Sequence, residues 1–180
     1  MQITNTACFT GHRPNKLLGG YDYSSVANLK LAKILAEKII HLYKKGVTHF
    51  ICGGALGVDQ IAFNVLQELR DKEDYNITIE LAIPFESFEA QWIPASKELH
   101  RNHLVLADKV TIVDEKSKYQ TTTPIGKYHP LKMEMRNRYM VDNSQYVIAV
   151  FNGSKSGTAN CINYAKKYNK EILIINPNNI

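Results

Sequence analysis

The sequence has few cysteines, and they form no recognisable framework. Only Cys8, Cys52 and Cys161 occur in 180 residues, and no two of them have a CxxC spacing. An odd number without paired spacing disfavours both a disulfide-stabilised fold and a zinc knuckle. The apolar neighbours of all three favour a place in the core over a nucleophilic role. The six histidines show no HExxH or comparable ligand spacing. We therefore predict no metal, no cofactor and a reducing, cytoplasmic environment.

Long apolar runs are also absent. Lys, Glu, Asp or Asn interrupts every helix-length window, so no segment reaches the ~18 apolar residues of a membrane-spanning helix. The opening residues, MQITNTACF, carry neither the basic region nor the long apolar region of a signal peptide. These absences predict a protein with no membrane partner.

Charge is moderate, and the excess of one sign is small. Lys and Arg number 22 against 17 Asp and Glu, which gives a formal net charge of +5. With 44% hydrophobic and 22% charged residues the composition is that of a soluble globular protein, which excludes a disordered chain. No linker or repeat divides the sequence, so we predict one domain over residues 1–180. The surplus charge suits a nucleotide, a polyanion or mere solubility, and does not choose among them.

Short apolar segments alternate with longer amphipathic ones from end to end. The predicted strands are 3–9, 49–52, 77–83, 109–113, 146–151 and 172–175. The predicted helices are 27–42, 57–69, 95–106, 131–141 and 157–168, with Gly46 and Asn169 as stop signals. This alternation predicts an α/β fold: a Rossmann-like, doubly wound, mainly parallel sheet of about six strands with helices on both faces.

The connection between the fourth strand and the fourth helix is unusual. Residues 114–130 are polar, contain Pro124, Gly126 and Pro130, and show neither helical nor strand periodicity. Loops longer than ~12–15 residues in compact domains are mostly functional or disordered. We predict that this segment is a lid over a ligand site.

In a parallel sheet the strand-to-helix turns gather at one edge, where ligands bind. The first turn reads Thr10-Gly11-His12-Arg13-Pro14 and offers a close backbone approach, an acid or base, and a bidentate guanidinium. A tight turn with solvated side chains explains it equally well. The second turn, GGALGVD at residues 53–59, has three glycines at a helix start, where free N–H groups favour an anion. Asp59 either caps that helix or holds a ribose hydroxyl.

A third turn and one helix complete the candidate site. Residues 152–158, NGSKSGT, precede the fifth helix and suit a phosphate, or a flexible turn capped by Ser156. On the fourth helix Met133, Arg136 and Met140 share one face, which brings a guanidinium near the crevice. An arginine whose charged end reaches solvent from an apolar stripe is the alternative.

Five segments together resemble the YpsA-like branch of the SLOG superfamily. They are GHRP at 11–14, GGALGVDQIA at 53–62, Pro84-Phe85, MxxRNxxMVDNS at 133–144 and SGTxxxxxYA at 156–165. The superfamily also contains the DNA-processing protein DprA and the LOG-type phosphoribohydrolases. The resemblance implies a Rossmann-like domain whose glycine-rich turns bind nucleotides or nucleotide-derived signals, for which ADP-ribose derivatives have been proposed.

We predict a ligand site from these motifs and the resemblance together. Trp92, with Phe85 and Phe88, is a candidate stacking wall for a base. The predicted ligand-binding residues are Gly11, His12, Arg13, Gly53, Gly54, Ala55, Gly57, Asp59, Pro84, Trp92, Arg136, Ser156, Gly157 and Thr158. The predicted role is a sensor or sequestering protein for a nucleotide-derived small molecule, in a homo-oligomer.

One departure from the LOG pattern weighs against catalysis. LOG enzymes carry PGGxGTxxE, and its glutamate serves in N-glycosidic cleavage. Here Cys161 stands at the glutamate position, and Gly153-Ser154-Lys155-Ser156 replaces the preceding Pro-Gly-Gly. A thiol does not replace a carboxylate in acid–base catalysis without further activation. A LOG-type phosphoribohydrolase therefore stays an alternative, as does DprA-like binding of single-stranded DNA, for which the sequence shows no dense basic track.

Overall fold

The computed structural model of the protein describes residues 5–180, which form one open sheet flanked by helices. In this part of the chain the strands are β1 (Thr6–Gly11), β2 (His49–Cys52), β3 (Thr78–Ile83), β4 (Lys109–Ile112), β5 (Tyr146–Val150) and β6 (Glu171–Ile175). All neighbouring strands are parallel, in the order β4-β3-β2-β1-β5-β6. The predicted fold class is confirmed. The predicted start of the first strand, at residue 3, lies outside the described residues.

Five helices connect the strands of the described chain. They are α1 (Val26–Lys44), α2 (Val58–Lys72), α3 (Pro94–Leu106), α4 (Pro130–Asp142) and α5 (Gly157–Lys167). Helices α1 and α5 end where the stop signals stand, since Gly46 and Asn169 both take a positive φ just beyond them. None of the helices within residues 5–180 combines the length and apolar content needed to cross a membrane.

Alternating side chains on the strands build a core on each face of the sheet. Ala7 and Phe9 of β1 belong to the larger cluster, with apolar residues of α1 and α2, and α3 packs beside α2. Cys8, which points the other way, belongs to the smaller cluster, with Tyr139 and Cys161 of α4 and α5. Helices therefore cover both faces, as a doubly wound sheet requires.

The strand order places a crevice beside β1. The chain moves outward from β1 through β2 and β3 to β4, then returns to add β5 on the other side of β1. Open α/β sheets bind ligands at such a reversal, outside the carboxyl ends of the strands. The turns that follow β1 and β5 meet at this position.

The predicted lid is anchored to the fold. Two short 3₁₀ helices, Val113–Glu115 and Ser117–Tyr119, occupy its first part. Buried Lys132, at the start of α4, places its Nζ 2.8 Å from Asp114 Oδ2 and 2.7 Å from the Pro124 carbonyl oxygen. The Gly126 N–H donates to the same Asp114 oxygen at 2.9 Å. One buried ion pair therefore fixes both halves of segment 114–130 against α4.

Candidate functional site

A cavity of about 300 Å³ opens at the crevice between β1 and β5. Its residues come from the turn after β1, the turn before α2, the inner face of α4 and the start of α5. They are Phe9, Thr10, Gly11, His12, Arg13, Asn15, Lys16, Ala55, Asp59, Met133, Arg136, Asn137, Ser156, Gly157 and Thr158. Segments distant in sequence thus meet at the position that the strand order defines.

The turn before α2 needs glycine where the backbone packs most closely. Gly57 has φ +94°, and a Cβ at that position would lie 2.6 Å from the carbonyl oxygen of His12. The Gly57 N–H donates to Tyr23 Oη at 3.1 Å, and that hydroxyl donates to Gln60 Oε1 at 2.5 Å. Gly57 therefore lets the second turn lie directly on the first, and Tyr23 holds it there.

Arg136 is buried at the inner end of the cavity and joins α4 to the second turn. Its Nη1 donates to the Gly53 carbonyl oxygen and lies 3.4 Å from Asp59 Oδ2. The same Asp59 oxygen accepts from the Ala55 N–H at 3.1 Å. A Cβ on Gly53 would collide with the Arg136 guanidinium and lie 2.6 Å from Asp59 Oδ2. The Arg136 guanidinium therefore fits beside residue 53 because glycine has no side chain.

The charges of this pair are held with little water around them. Burial raises the pKa of the Asp59 carboxyl, and the Arg136 charge and the Ala55 N–H oppose that rise. Arginine stays protonated in proteins, so Arg136 brings a permanent positive charge to the cavity wall. Asp59 positions that guanidinium and the 53–57 backbone. It does not act as a side-chain cap of α2, because the cap position is Gly57.

Three contacts join the turn after β1 to the turn after β5. The Asn152 N–H donates to His12 Nε2 at 3.1 Å, the same ring nitrogen lies 2.8 Å from Asn152 Oδ1, and Lys16 Nζ donates to Ser154 Oγ at 3.1 Å. His12 is almost completely buried, and burial lowers the pKa of its imidazole, so the ring is neutral near pH 7. With Nε2 engaged, His12 serves to fix the cavity wall.

The open side of the cavity is suited to an anion. Helix α5 starts there, and its cap Ser156 accepts from the Ala159 N–H at 3.3 Å through Oγ. The first N–H groups of a helix have no partner within the helix, and the helix dipole favours negative charge near them. Exposed Arg13 and Lys16 line the same mouth. The arrangement can hold a phosphate or carboxylate between two cationic side chains and a helix start.

The structure brings most of the predicted residues together but not all. Nine of them line the cavity: Gly11, His12, Arg13, Ala55, Asp59, Arg136, Ser156, Gly157 and Thr158. Gly53, Gly54 and Gly57 lie behind it and shape the second turn. Pro84 and Trp92 lie elsewhere. The carbonyl of Pro84 accepts from the Asp114 N–H at 3.2 Å. The Trp92 ring packs on Phe88 and His100.

Two of the predicted features do not lie at this cavity in the structure. Phe85 and Phe88 are buried in the core, so neither they nor Trp92 forms a wall of this cavity. No residue of segment 114–130 lines the cavity either. The aromatic residues follow β3, and the Lys132–Asp114 pair ties the segment to α4. The cavity lies beyond β1, two strands from β3.

Several residues in or next to the cavity wall were not among the predicted ligand-binding residues. Asn15 and Lys16 belong to a 3₁₀ helix, Pro14–Lys16, which is too short to show an apolar periodicity in the sequence. Tyr23 lies in an irregular stretch before α1, where its contact with Gly57 has no local signature. Phe9 and Thr10 end β1, and their place beside the crevice follows only from the strand order.

The thiols and carboxylates give little support to catalysis. All three cysteines are buried and unpaired, and burial raises the pKa of Cys161 to about 11. Asp59 is the one carboxylate among the cavity-lining residues, and it is engaged by Arg136 and Ala55. Among residues 5–180, no group of three or more His, Cys, Asp or Glu is arranged to hold a metal ion.

Two relatives in sequence match most of the chain. YoqJ, an SPbeta prophage-derived protein of Bacillus subtilis strain 168, is 40% identical over 139 residues, which cover 77% of this chain and 79% of YoqJ. A UPF0398 protein of Halalkalibacterium halodurans is 25% identical over 176 residues, covering 95% of this chain and 87% of that protein.

Solved structures of DNA processing protein A share the fold. The protein from Helicobacter pylori, described in a single-stranded DNA binding mode, aligns with a TM-score of 0.57 and 19% identity over 96% of this chain and 65% of its own. The protein from Streptococcus pneumoniae aligns with a TM-score of 0.60 and 16% identity over 95% of this chain and 50% of its own. A sequence model of a protein family, described as the YspA SLOG family, matches residues 7–180 of this chain. The chain therefore belongs to the YpsA family of SLOG proteins.

Proposed function

We propose that the protein binds a nucleotide or nucleotide-derived small molecule in the cavity between β1 and β5, and that it senses or sequesters this ligand. The observation that carries the proposal is the charge of the cavity. Arg13, Lys16 and Arg136 line it, while its one carboxylate, Asp59, is already paired with Arg136. A cavity with this excess of positive charge at a helix start favours a phosphate-bearing ligand.

The geometry supports an orientation for that ligand. A phosphate at the mouth would meet the start of α5 and the two exposed cations, Arg13 and Lys16. A sugar would then lie deeper, over Gly11 and Ala55, towards Met133 and Asn137. Residue 11 itself must be glycine, because a Cβ at that position would lie 2.5 Å from the Val58 side chain. Compounds of the ADP-ribose type and cyclic nucleotides have this combination of phosphate and sugar.

Binding without turnover is the form of the proposal that the cavity favours. Cleavage of an N-glycosidic bond needs a carboxylate that reaches the reacting atoms as acid, base or stabiliser. Asp59 Oδ2 is occupied by Ala55 and Arg136, Glu134 in the adjoining groove is paired with Arg138, and Cys161 carries a thiol that burial keeps protonated. A LOG-type hydrolase is therefore the less favoured function for this site.

Binding of single-stranded DNA is a second candidate, because the DprA proteins with this fold include one in a single-stranded DNA binding mode. A DNA strand needs a groove that follows several phosphates. The exposed cations at this site, Arg13 and Lys16, are confined to the mouth of one cavity. A small ligand therefore suits the site better than a polymer.

A thermal-shift screen tests the proposal with matched variants. The panel is AMP, ADP-ribose, NAD, cyclic ADP-ribose and a short single-stranded oligonucleotide. A ligand at 100 times its Kd adds about 2.7 kcal/mol of stability, or roughly 5–10 °C for a chain of this size. We expect a shift with at least one small nucleotide, and at least a tenfold loss of affinity in Arg13→Gln, from losing a charge-assisted hydrogen bond worth about 1.5–3 kcal/mol.

The control for this screen is Arg101→Gln. Arg101 is exposed on α3 and does not line the cavity, so this variant removes the same charge from a different surface. It should bind as tightly as the parent protein. A response to the oligonucleotide alone, with a steep salt dependence, would replace the small-ligand proposal with DNA binding.

A further inference from the structure

We infer that the groove between α4 and α5, next to the cavity, is a subsite for a heterocyclic base, so that the ligand is a nucleotide whose base leaves the cavity between these two helices. This inference rests on the proposed function, because it needs the phosphate-bearing part of the ligand to lie in the cavity.

The groove is continuous with the cavity. The groove has a volume of about 180 Å³ and shares Met133, Asn137 and Gly157 with the cavity. At about 300 Å³ the cavity alone is at the lower end of the ~300–1,000 Å³ range of small-molecule sites, and the groove extends it. A Cβ on Gly157 would meet nothing within 4 Å, so the passage between the two spaces is open at that residue.

The groove walls have the chemistry that a base requires. The Arg138 guanidinium lies 5.3 Å from the centre of the Tyr164 ring, and both residues line the groove. Tyr164 Oη donates to Asp142 Oδ1 at 2.9 Å, which holds the ring in place. Met133 supplies a polarisable thioether. The Tyr164 ring also packs on Tyr168, with ring centres 4.6 Å apart, so a base would stack on the Arg138 guanidinium that lies over the ring.

Polar groups at the rim of the groove have hydrogen-bonding positions left for a ligand. Asn137 Oδ1 accepts from Arg136 Nε at 3.0 Å, which leaves its amide N–H₂ for a ligand. Glu134 pairs with Arg138, and a carboxylate has acceptor positions beyond the one that this contact uses. Asn160 adds an exposed amide. Donors and acceptors at the edge of a flat slot match the hydrogen-bonding edge of a base.

The tryptophan expected to stack on a base lies away from both the cavity and the groove. Trp92, the aromatic residue expected to stack on the base, lines a separate pocket with Tyr21 and Leu56 and is not part of the cavity. Of the Phe, Tyr and Trp rings within residues 5–180, Phe9 lines the cavity but is fully buried, and Tyr164 lines the groove. Tyr164 is therefore the ring within reach of a base.

Calorimetry with AMP and ribose 5-phosphate tests the subsite, since the two ligands differ by the base. We expect AMP to bind at least about fivefold more tightly, the lower end of what base stacking contributes. In Tyr164→Leu this ratio should fall close to one, while Tyr21→Leu, an exposed tyrosine away from the groove, should keep it. Asn160→Trp, which fills the groove from its exposed rim, should lower the ratio without touching the core.

The outcomes separate the subsite from the function on which it rests. If the parent protein binds both ligands equally, the groove holds no base and the cavity proposal stands. If the AMP preference survives in both Tyr164→Leu and Asn160→Trp, the base lies elsewhere and the subsite is wrong. If neither ligand binds and no other nucleotide does, the proposed function itself fails.

Discussion

At the scale of single residues, Arg136 connects the sequence to the site most directly. Its position on α4 matches the resemblance motif, yet the sequence left open whether its guanidinium reaches solvent or lies in the crevice. The structure shows it buried, donating to the Gly53 carbonyl and paired with Asp59. A buried charge of this kind is costly unless its partner is present, so the two residues form one unit.

Removing one member of this pair should be more damaging than removing both charges. Arg136→Met leaves Asp59 buried without its cation, and we expect it to lower the free energy of unfolding by about 3–5 kcal/mol. The double variant Asp59→Asn/Arg136→Met should recover part of that loss, because no unpaired charge remains. Urea denaturation of the parent and the variants measures both effects. Equal stability of the single and double variants would show that the pair does not act as a unit.

Replacing glycine by alanine should affect stability very differently at two positions near the site. In Gly53→Ala the new Cβ would collide with the Arg136 guanidinium, so we expect a loss of about 1–3 kcal/mol and weaker ligand binding. In Gly157→Ala the Cβ meets nothing within 4 Å, so stability should stay within about 0.5 kcal/mol of the parent. Thermal and urea unfolding compare them. A Gly53→Ala protein as stable as Gly157→Ala would contradict the described position of Arg136.

Residue-scale prediction from sequence has a clear physical limit at this site. Gly11, Asp59 and Thr158 follow strands or begin helices, so the common edge of a parallel sheet brings them together. Trp92 also follows a strand, but β3 lies two strands away from β1 and its turn packs on α3. Nothing in the local sequence around Trp92 encodes that distance, which depends on the order of strands in the sheet.

At the scale of elements, helix α5 contributes its start to the cavity, and its cap can be tested against a cap elsewhere. Ser156 Oγ accepts from the Ala159 N–H at 3.3 Å, and Ser25 Oγ accepts from the Asn28 N–H at 3.3 Å at the start of α1. Ser156 lines the cavity and Ser25 does not. The two serines therefore share one structural role and differ in access to the ligand.

We expect Ser156→Ala and Ser25→Ala each to lower the free energy of unfolding by about 1 kcal/mol, the usual cost of losing such a cap. Only Ser156→Ala should also weaken binding of a phosphate-bearing ligand. Denaturation and ligand titration of both variants provide the comparison. A loss of affinity in Ser25→Ala of the same size would place the effect in overall stability and not at the start of α5.

The elements themselves were largely predictable. The helices follow the apolar periodicity, and Gly46 and Asn169 end two of them because both residues accept a left-handed backbone. Segment 114–130 was harder, because its contacts depend on Lys132 and Asp114, which meet only in the folded chain. Its irregular sequence suggested a lid, whereas a buried ion pair anchors it on α4.

At the scale of the whole molecule, stability in acid should depend on Glu80. This residue lies in β3 and is almost completely buried. Burial alone would raise the pKa of its carboxyl, but hydrogen bonds from His49, Tyr139, Thr111 and Lys109 together lower it to about 2. A carboxyl whose pKa is lowered by folding stabilises the folded state above its ordinary pKa. That stabilisation disappears as the pH falls through the folded value.

The lowered pKa therefore predicts a loss of roughly 3 kcal/mol as the pH falls from about 4.5 to 2. Glu80→Gln should be less stable than the parent at pH 7 and should show a flatter dependence over this range. Urea denaturation at a series of pH values measures the slope. A variant with the same slope as the parent would show that the loss in acid arises at other carboxylates.

The central claim is that the cavity beside β1 binds a nucleotide-derived ligand without consuming it. The most direct test is a calorimetric titration of the protein with ADP-ribose and AMP, followed by chromatography of the ligand recovered from the cell. The account predicts saturable binding of at least one of them, weakened at least tenfold in Arg13→Gln, with the ligand recovered intact. Release of free base or ribose phosphate would make the protein an enzyme. No binding of either compound, or equal binding in Arg13→Gln, would contradict the assignment of this cavity.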